Sequence, residues 1–448
     1  HALVQNFSRL DEYLDQTVRF LLIILVVLLV AIPATLFLMG SAPTLTALNT
    51  PQVVGSDSAY QVAIASAHGI SQLTTTLEQD GKAQTVTSAQ FKKHRLGLFR
   101  HEADHTYTIK VGKSNFPALH DGSAKLTFTA KANDLRGSKR SISYLVMVNL
   151  TPPHVSADGE QHYINQGGSE LVTFTPTGYV TDSGVKVGKY RFGSFPVPGH
   201  PGLRYSLFAY PWDLDAHETP YVFATNPAGN EARATFTFRL FPKKFRTRDF
   251  EMSDALMEKL VNQIDPKGSG DMLTRFLKIN GEMRRANNQT LADLRKQSAD
   301  HFLFTEAFYQ VVPAVEAQFA DVRNYLYHGK KVDQQVHLGF DLADKSHMVI
   351  PAANDGKVVF AENLGIYGNC VVIDHGGSLQ SIYGHMSDFS VKTGDMVKRS
   401  QEIGHSGQTG FAGGDHLHYS MQVDGVQVNP VEWWDPHWIK DRVWSKVK

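Results

Sequence analysis

The spacing of apolar positions divides the chain into five stretches. From Phe20 to Met39 the run FLLIILVVLLVAIPATLFLM carries no charge. At about 1.5 Å per residue it reaches about 30 Å as a helix, enough to cross one bilayer. Between about 53 and 150 the pattern alternates with period two in YQVAIA (60–65), HTYTIKV (105–111), AKLTFTAKA (124–132) and ISYLVMVN (142–149). Turn signals such as Asp80-Gly81 and Asp121-Gly122 separate these runs, so the stretch predicts an all-β module. After Pro152-Pro153 a second strand series follows: LVTFT (171–175), VGKYRF (187–192), YSLFAY (205–210), YVFAT (221–225) and ARATFTFRL (232–240). Beyond PKKFRTR (242–248) the spacing turns helical from 249 to about 310, with Ser253 as the N-cap of SDALMEKLVNQI. From about 326 the pattern returns to short strands, now dense in glycine and histidine.

The expected fold class is multidomain. It comprises a cytoplasmic head (1–19), a single transmembrane helix (20–40), a β-sandwich module (41–150), an Ig-like β-sandwich module (151–243), a helical linker or arm (244–325) and a mostly antiparallel β domain (326–448). The turn TNPAGNEA (225–232), followed by an alternating strand, resembles the closing hairpin of bacterial immunoglobulin-like domains. The helical segment reads as a spacer that packs on a neighbouring domain, or as an arm over an active groove. For the apolar run the rivals are a buried core helix and a cleaved signal peptide, since Gly40-Ser41-Ala42 is small. The run is long for a signal peptide and Pro43 follows directly, which favours an uncleaved anchor. Arg9 and Arg19 are the firm cations of the head, and the first 40 residues after the span carry none, so the expected orientation is N-terminus inside.

Composition narrows the chemistry. Lys+Arg 44 against Asp+Glu 44 excludes the basic footprint of a nucleic-acid binder, and 26 Phe, 16 Tyr and 5 Trp exclude a disordered chain. One cysteine, Cys370, rules out an intramolecular disulfide framework and a thiolate zinc cluster. Any metal must therefore be held by imidazole and carboxylate, and half of the 20 histidines fall after position 300.

There the run VHLGFDLA places His337 and Asp341 four apart, SIYGHMS supplies His385, and GDHLHYSM places His416 and His418 two apart on one strand face. This order, H-x-x-x-D, then Y-x-H, then H-x-H, resembles the lysostaphin-type (LytM-like) zinc metalloendopeptidases. PAANDGKVVFA, GNCVVIDHG, VKTGDMV, IGHSGQTGFAGG and VNP match as well, so the resemblance runs over about 326–435. It implies that His337, Asp341 and His418 bind one Zn2+ per catalytic domain and leave a fourth position open. It further implies that His416 is the general base, and that His385 hydrogen-bonds the water or stabilises the oxyanion; the two roles are exchangeable.

The implied activity is hydrolysis of peptide cross-links in bacterial peptidoglycan, as a D,D-endopeptidase rather than a pentaglycine-cleaving enzyme. The implied setting is the bacterial inner membrane, single-pass through residues 20–40, with the C-terminal domains periplasmic. The β modules are expected to meet envelope protein partners. Two other readings stand beside this one: a non-enzymatic activator of other cell-wall hydrolases, and a structural envelope protein.

Remaining candidates carry less. His375 and His405 lie outside the motif and read as structural, Tyr327 is a candidate oxyanion donor, and Cys370 reads as a buried small apolar residue. HEADH (101–105) satisfies H-E-x-x-H, but that mechanism needs a helix, and the following TYTIKV alternates as a strand.

Overall fold

The computed structural model describes the chain except residues 1, 39, 68, 93–103, 135, 312–313 and 448, and the side chains of 2–17 and 36. The apolar run lies in a helix, α1 (Ala2–Leu38), which includes Pro33. Its window Val18–Thr35 is long and apolar enough to cross a membrane and buries none of itself in the protein. The chain divides into two units, 1–152 with 226–230, and 153–225 with 231–448.

In the first unit the alternating runs form two antiparallel-rich sheets. Thr44–Ala47, Ser58–Ala65 and His105–Val111 make a three-stranded sheet, and the strands Ile70–Gln79, Lys82–Gln90, Gly122–Ala132 and Lys139–Val148 make a larger one with Val53–Val54. Every second residue, such as Val62, Ile64 and Ile109 from one sheet and Leu73, Leu77, Leu126 and Phe128 from the other, enters one apolar cluster. Of HEADH, residues 101–103 lie outside the described residues, and His105 opens a strand.

In the second unit, residues 154–235 form two four-stranded sheets. Two of the expected strands differ. VGKYRF is a hairpin: Asp182–Val187 turns at Gly188, with φ 53, into Tyr190–Gly193. A left-handed residue there needs glycine, which the alternation alone conceals. ARATFTFRL breaks at Phe236-Thr237, and Phe238–Phe241 leaves the sheet to pair in parallel with His162–Asn165.

The helical stretch is shorter than expected. Residues 249–251 belong to a strand, β1 (Thr247–Glu251), and regular helix ends at Gln297. The helices are α2 (Asp254–Ile264), α3 (Met272–Lys278) and α4 (Arg284–Asp293), the last two joined by a π turn. Ser253 caps α2, its Oγ accepting from Leu256 N at 3.2 Å. Met257, Leu260 and Val261, spaced i, i+3 and i+4, form the buried stripe of α2.

The remaining strands are β2 (Val315–Ala317), β3 (Asp321–Tyr327), β4 (Lys330–His337), β5 (Phe340–Leu342), β6 (Val349–Pro351), β7 (Gly356–Asn363), β8 (Asn369–Asp374), β9 (Leu379–Met386), β10 (Asp388–Phe389), β11 (Met396–Val397), β12 (Glu402–His405), β13 (Leu417–Val423) and β14 (Val426–Val428). The expected boundary at 325/326 thus falls inside β3. The main sheet runs β2-β5-β13-β9-β8-β7-β11 with β14 beside β13, while β1-β3-β4 and β6-β12-β10 form smaller sheets.

Residues of β9 and β13 are buried throughout, so these strands show no inside-outside alternation. Both sheet faces are covered. Cys370, Val372 and Ile382 meet the helices, whereas Val371, Ile373, Tyr383 and Tyr419 share a cluster with Leu171, Leu207 and Phe208 of the upstream β strands. Buried glutamines bind the helical side: Gln380 and Gln422 donate to the carbonyls of Leu294 and Leu291 at 3.1 and 2.8 Å, satisfying acceptors that a helix end leaves open.

Candidate metal centre

Three neighbouring strands bring the motif residues together. Asp341 on β5 pairs with His418 on β13, and His418 pairs in turn with Gly384 on β9, next to His385. His337 ends β4, one short turn before β5. Within that turn Gly339 leaves room for an imidazole, because a Cβ there would lie 2.6 Å from His418 Cε1.

His337 Nε2 lies 2.8 Å from Asp341 Oδ1 and 3.0 Å from His418 Nδ1, and His418 Nδ1 lies 3.2 Å from Asp341 Oδ1. Atoms bound at about 2.0–2.2 Å to a common tetrahedral centre stand roughly this far apart, so the two imidazoles and one carboxylate fit a zinc ion. All three residues are buried. Nitrogens turned away from the centre are fixed where a partner exists: His337 Nδ1 is 3.1 Å from the Gln318 carbonyl. Asp341 Oδ2 accepts from Arg323 Nη2 at 2.7 Å.

His385 and His416 stand beside this triad with ring centroids 4.8 Å apart. His385 Nδ1 is 2.8 Å from the Thr409 carbonyl and His416 Nδ1 is 2.9 Å from the Gly414 carbonyl. A carbonyl only accepts, so both rings carry a proton on Nδ1, and in the neutral form of each ring Nε2 is the acceptor. His416 Nε2 lies 3.5 Å from Asp341 Oδ1. His385 takes a left-handed φ of 63, uncommon for a residue with a side chain.

Electrostatics follow from burial and proximity. Burial opposes ionisation of Asp341, but the facing His337 and the hydrogen bonds from three histidines hold its carboxyl well below the usual range. Burial lowers His418 to about 4, and burial with His416 and His418 alongside depresses His385 well below its ordinary value. For His416, burial acts downward but Asp341 outweighs it and raises the imidazole.

The cavity at the centre is lined by Tyr367, Ile366 and Phe411, and by Arg284 and Asn288 from α4. The Tyr367 hydroxyl donates to Asn288 Oδ1 at 2.8 Å, and Arg284 lies over the Phe411 ring at 5.5 Å. Arg323, Arg284 and Asn288 escaped the sequence reading because they lie outside the motif and converge only through tertiary packing. Tyr327 does not reach the centre; its hydroxyl donates to Asp254 Oδ1 at 2.7 Å, which corrects its expected role as oxyanion donor. His375 is fully buried between the Asp355 carbonyl and Ser381 Oγ, each at 2.7 Å. Cys370 is buried and burial pushes its thiol up.

Comparison with known proteins agrees with the motif. Residues 335–430 match the model of peptidase family M23. The DD-carboxypeptidase/endopeptidase of Neisseria meningitidis is 33% identical over 123 residues, 28% of this chain and 28% of that protein. The peptidoglycan DD-endopeptidase ShyA of Vibrio cholerae is 42% identical over 96 residues, 21% of this chain and 22% of that protein. The chain thus spans less than a third of the length of either relative. A solved structure of a Pseudomonas aeruginosa protein assigned to peptidase M23 is 18% identical and covers 60% of this chain and 94% of that one, with a TM-score of 0.38. Residues 335–430, which hold the buried His-Asp-His triad, are a domain of peptidase family M23, of the lysostaphin type.

Proposed function

We propose that this protein is a zinc-dependent endopeptidase that hydrolyses peptide cross-links of bacterial peptidoglycan, acting on D,D bonds from a membrane-tethered, periplasmic position. The observation that carries the reading is the buried triad of His337, Asp341 and His418 with two further imidazoles presenting Nε2 beside it. Relatives named as DD-endopeptidases support the substrate class. The helix α1 supports an anchor.

A zinc ion held by His337, Asp341 and His418 would supply Lewis acidity towards the scissile carbonyl. His416, oriented by the Gly414 carbonyl, takes the proton of the attacking water on Nε2 and returns it to the leaving amine as the C–N bond breaks. His385 Nε2 accepts a hydrogen bond from the same water and fixes its approach. With the full donor set present, a purely non-enzymatic activator role has no structural observation in its favour.

The test is digestion of purified peptidoglycan by the detergent-solubilised full chain, with muropeptides analysed by mass. Metal-dependent conversion of cross-linked dimers to monomers is expected. Stoichiometric metal at the triad with no change in the dimer fraction under any condition would overturn the substrate assignment.

A further inference from the structure

One loop orients both histidines that stand beside the triad. Residues 406–416 join β12 to β13, and the Thr409 and Gly414 carbonyls of this loop lie 2.8 Å from His385 Nδ1 and 2.9 Å from His416 Nδ1. Glycine stands at 407, 410, 413 and 414, so the loop has much backbone freedom to lose. Its first half is held from within the domain. Thr409 Oγ accepts from Asn369 N at 2.9 Å and donates to the Met386 carbonyl at 2.8 Å, and the Phe411 ring packs 5.9 Å from Phe276 and 6.2 Å from Tyr325. Gly413 and Gly414 lack such packing, since a Cβ on either would meet nothing within 4 Å.

The other hold on the loop comes from α2. Lys259 Nζ donates to the Gly413 carbonyl at 3.0 Å and to Gln408 Oε1 at 3.3 Å, and Gln263 Nε2 donates to the Gln408 carbonyl. Lys259 and Gln263 are four apart and share one helix face. Each carbonyl they hold sits one residue before a carbonyl that orients an imidazole: Gln408 precedes Thr409, and Gly413 precedes Gly414. Peptide units are planar and neighbours share one Cα, so fixing one carbonyl leaves the next only two soft dihedrals. Among the described residues, the hydrogen bonds to Gly413 and Gly414 are those from Lys259 and His416. Without Lys259, His416 is tied to a carbonyl that nothing else in the loop fixes.

We propose that Lys259 is a positioning residue for His416, and Gln263 a secondary one for His385. The helix α2 lies outside residues 335–430, yet it holds the peptide units that keep both Nδ1 atoms on carbonyls. Gln263 matters less because Thr409 has its own side-chain anchors. The inference rests on the roles proposed above for His416 and His385. Leu256 and Leu260 of α2 also line, with Gly413, Gly414 and His416, a cleft of about 400 Å³ that reaches Asp341. Contact between α2 and substrate is therefore the rival explanation, and KM separates the two.

The experiment compares wild type, Lys259→Met, Lys259→Arg and Gln263→Leu as zinc-loaded full chains in detergent. Both side chains are exposed, so the fold should survive. Bound zinc, kcat and KM on a soluble cross-linked muropeptide dimer, and the ring-nitrogen NMR signals of His385 and His416 are measured. Lys259→Met should keep its zinc and its KM while kcat falls about 10–100-fold, the usual scale for a displaced reacting group. Its His416 signal should change from one Nδ1-protonated form to a mixture. Lys259→Arg, which retains a donor, should recover most of kcat, and Gln263→Leu should shift His385 with a smaller loss. Unchanged kcat and His416 signal in Lys259→Met would overturn the proposal. So would a raised KM at constant kcat, which marks substrate contact, or loss of zinc, which routes the effect through the triad. If the wild type cleaves nothing, the peptidase reading fails while the His416 signal still decides: a shift in Lys259→Met supports the hold, and an unchanged signal refutes it.

Discussion

Arg323 grips Asp341 by one carboxylate oxygen: Nη2 meets Oδ2 at 2.7 Å, so Oδ1 alone faces His337 and His418. The arginine belongs to β3, before the segment matched by the peptidase family. Its guanidinium holds the ligand in a one-oxygen pose and offsets part of its buried charge.

Removing that grip frees the carboxylate to rotate. Arg323→Ala should weaken zinc binding at the triad by about 10–100-fold, the usual effect of losing a partner that orients a ligand. Competition with a chelator of known affinity measures it. Unchanged affinity would show that the strands alone fix the Asp341 pose.

Ligand and proton-transfer residues should separate cleanly. His337→Ala and His418→Ala should abolish both triad metal and cleavage. His385→Ala and His416→Ala should keep the metal while turnover falls by about 10²–10⁴-fold. Metal content alongside kcat checks this. A His416→Ala chain that still turns over normally would remove it as the base.

Gly339→Ala tests the packing beneath the site. The added methyl would stand 2.6 Å from His418 Cε1 and 2.7 Å from Nε2, a separation that forces the ring to move. Triad affinity should fall at least about tenfold, with the fold retained by circular dichroism. Wild-type affinity would mean the β4–β5 turn yields instead of the imidazole.

Glu432 sets a pH dependence far from the chemistry. Burial raises its carboxyl to about 7, against the lowering effect of Asn165 Nδ2 and the Ser169 backbone N, each at 2.8 Å. The folded chain then holds a proton that the unfolded chain releases near the ordinary carboxylate value. Its stabilising contribution is full below that value and is lost as pH rises through about 7. Melting temperature should decline from pH 5 to pH 8, and Glu432→Gln should flatten the decline relative to wild type. Parallel curves for the two chains would sink this account.

The convergence of the motif residues was legible because it depends on spacing along one or two strands. His416 and His418, two apart in extended chain at the start of β13, turn to the same side, and His337 to Asp341 needs only one tight turn. Ser253 was legible as a cap for the same local reason. Elements that depend on distant chain were not. Nothing in VGKYRF announces a left-handed Gly188, and nothing in ARATFTFRL announces that Phe238 leaves its sheet for His162. The uniform burial of β9 and β13 reflects cover on both faces, which no local alternation encodes. Arg323 and Asn288 carry no motif, and only packing brings them to the cavity.

The cluster that joins β13 and Trp433 to Leu171 and Phe208 also sets an order of events in folding. Ser169 and Glu432 close a loop of 263 residues, and Lys446 closes one of 275 to the Leu171 carbonyl. Contacts so distant in sequence form late. During synthesis the β strands near 170 emerge long before β13 and Trp433, so these closures wait for the C-terminal part of the chain. The apolar layer shared by the strands near 170 and β13 is thereby completed only when the last residues of the chain have docked.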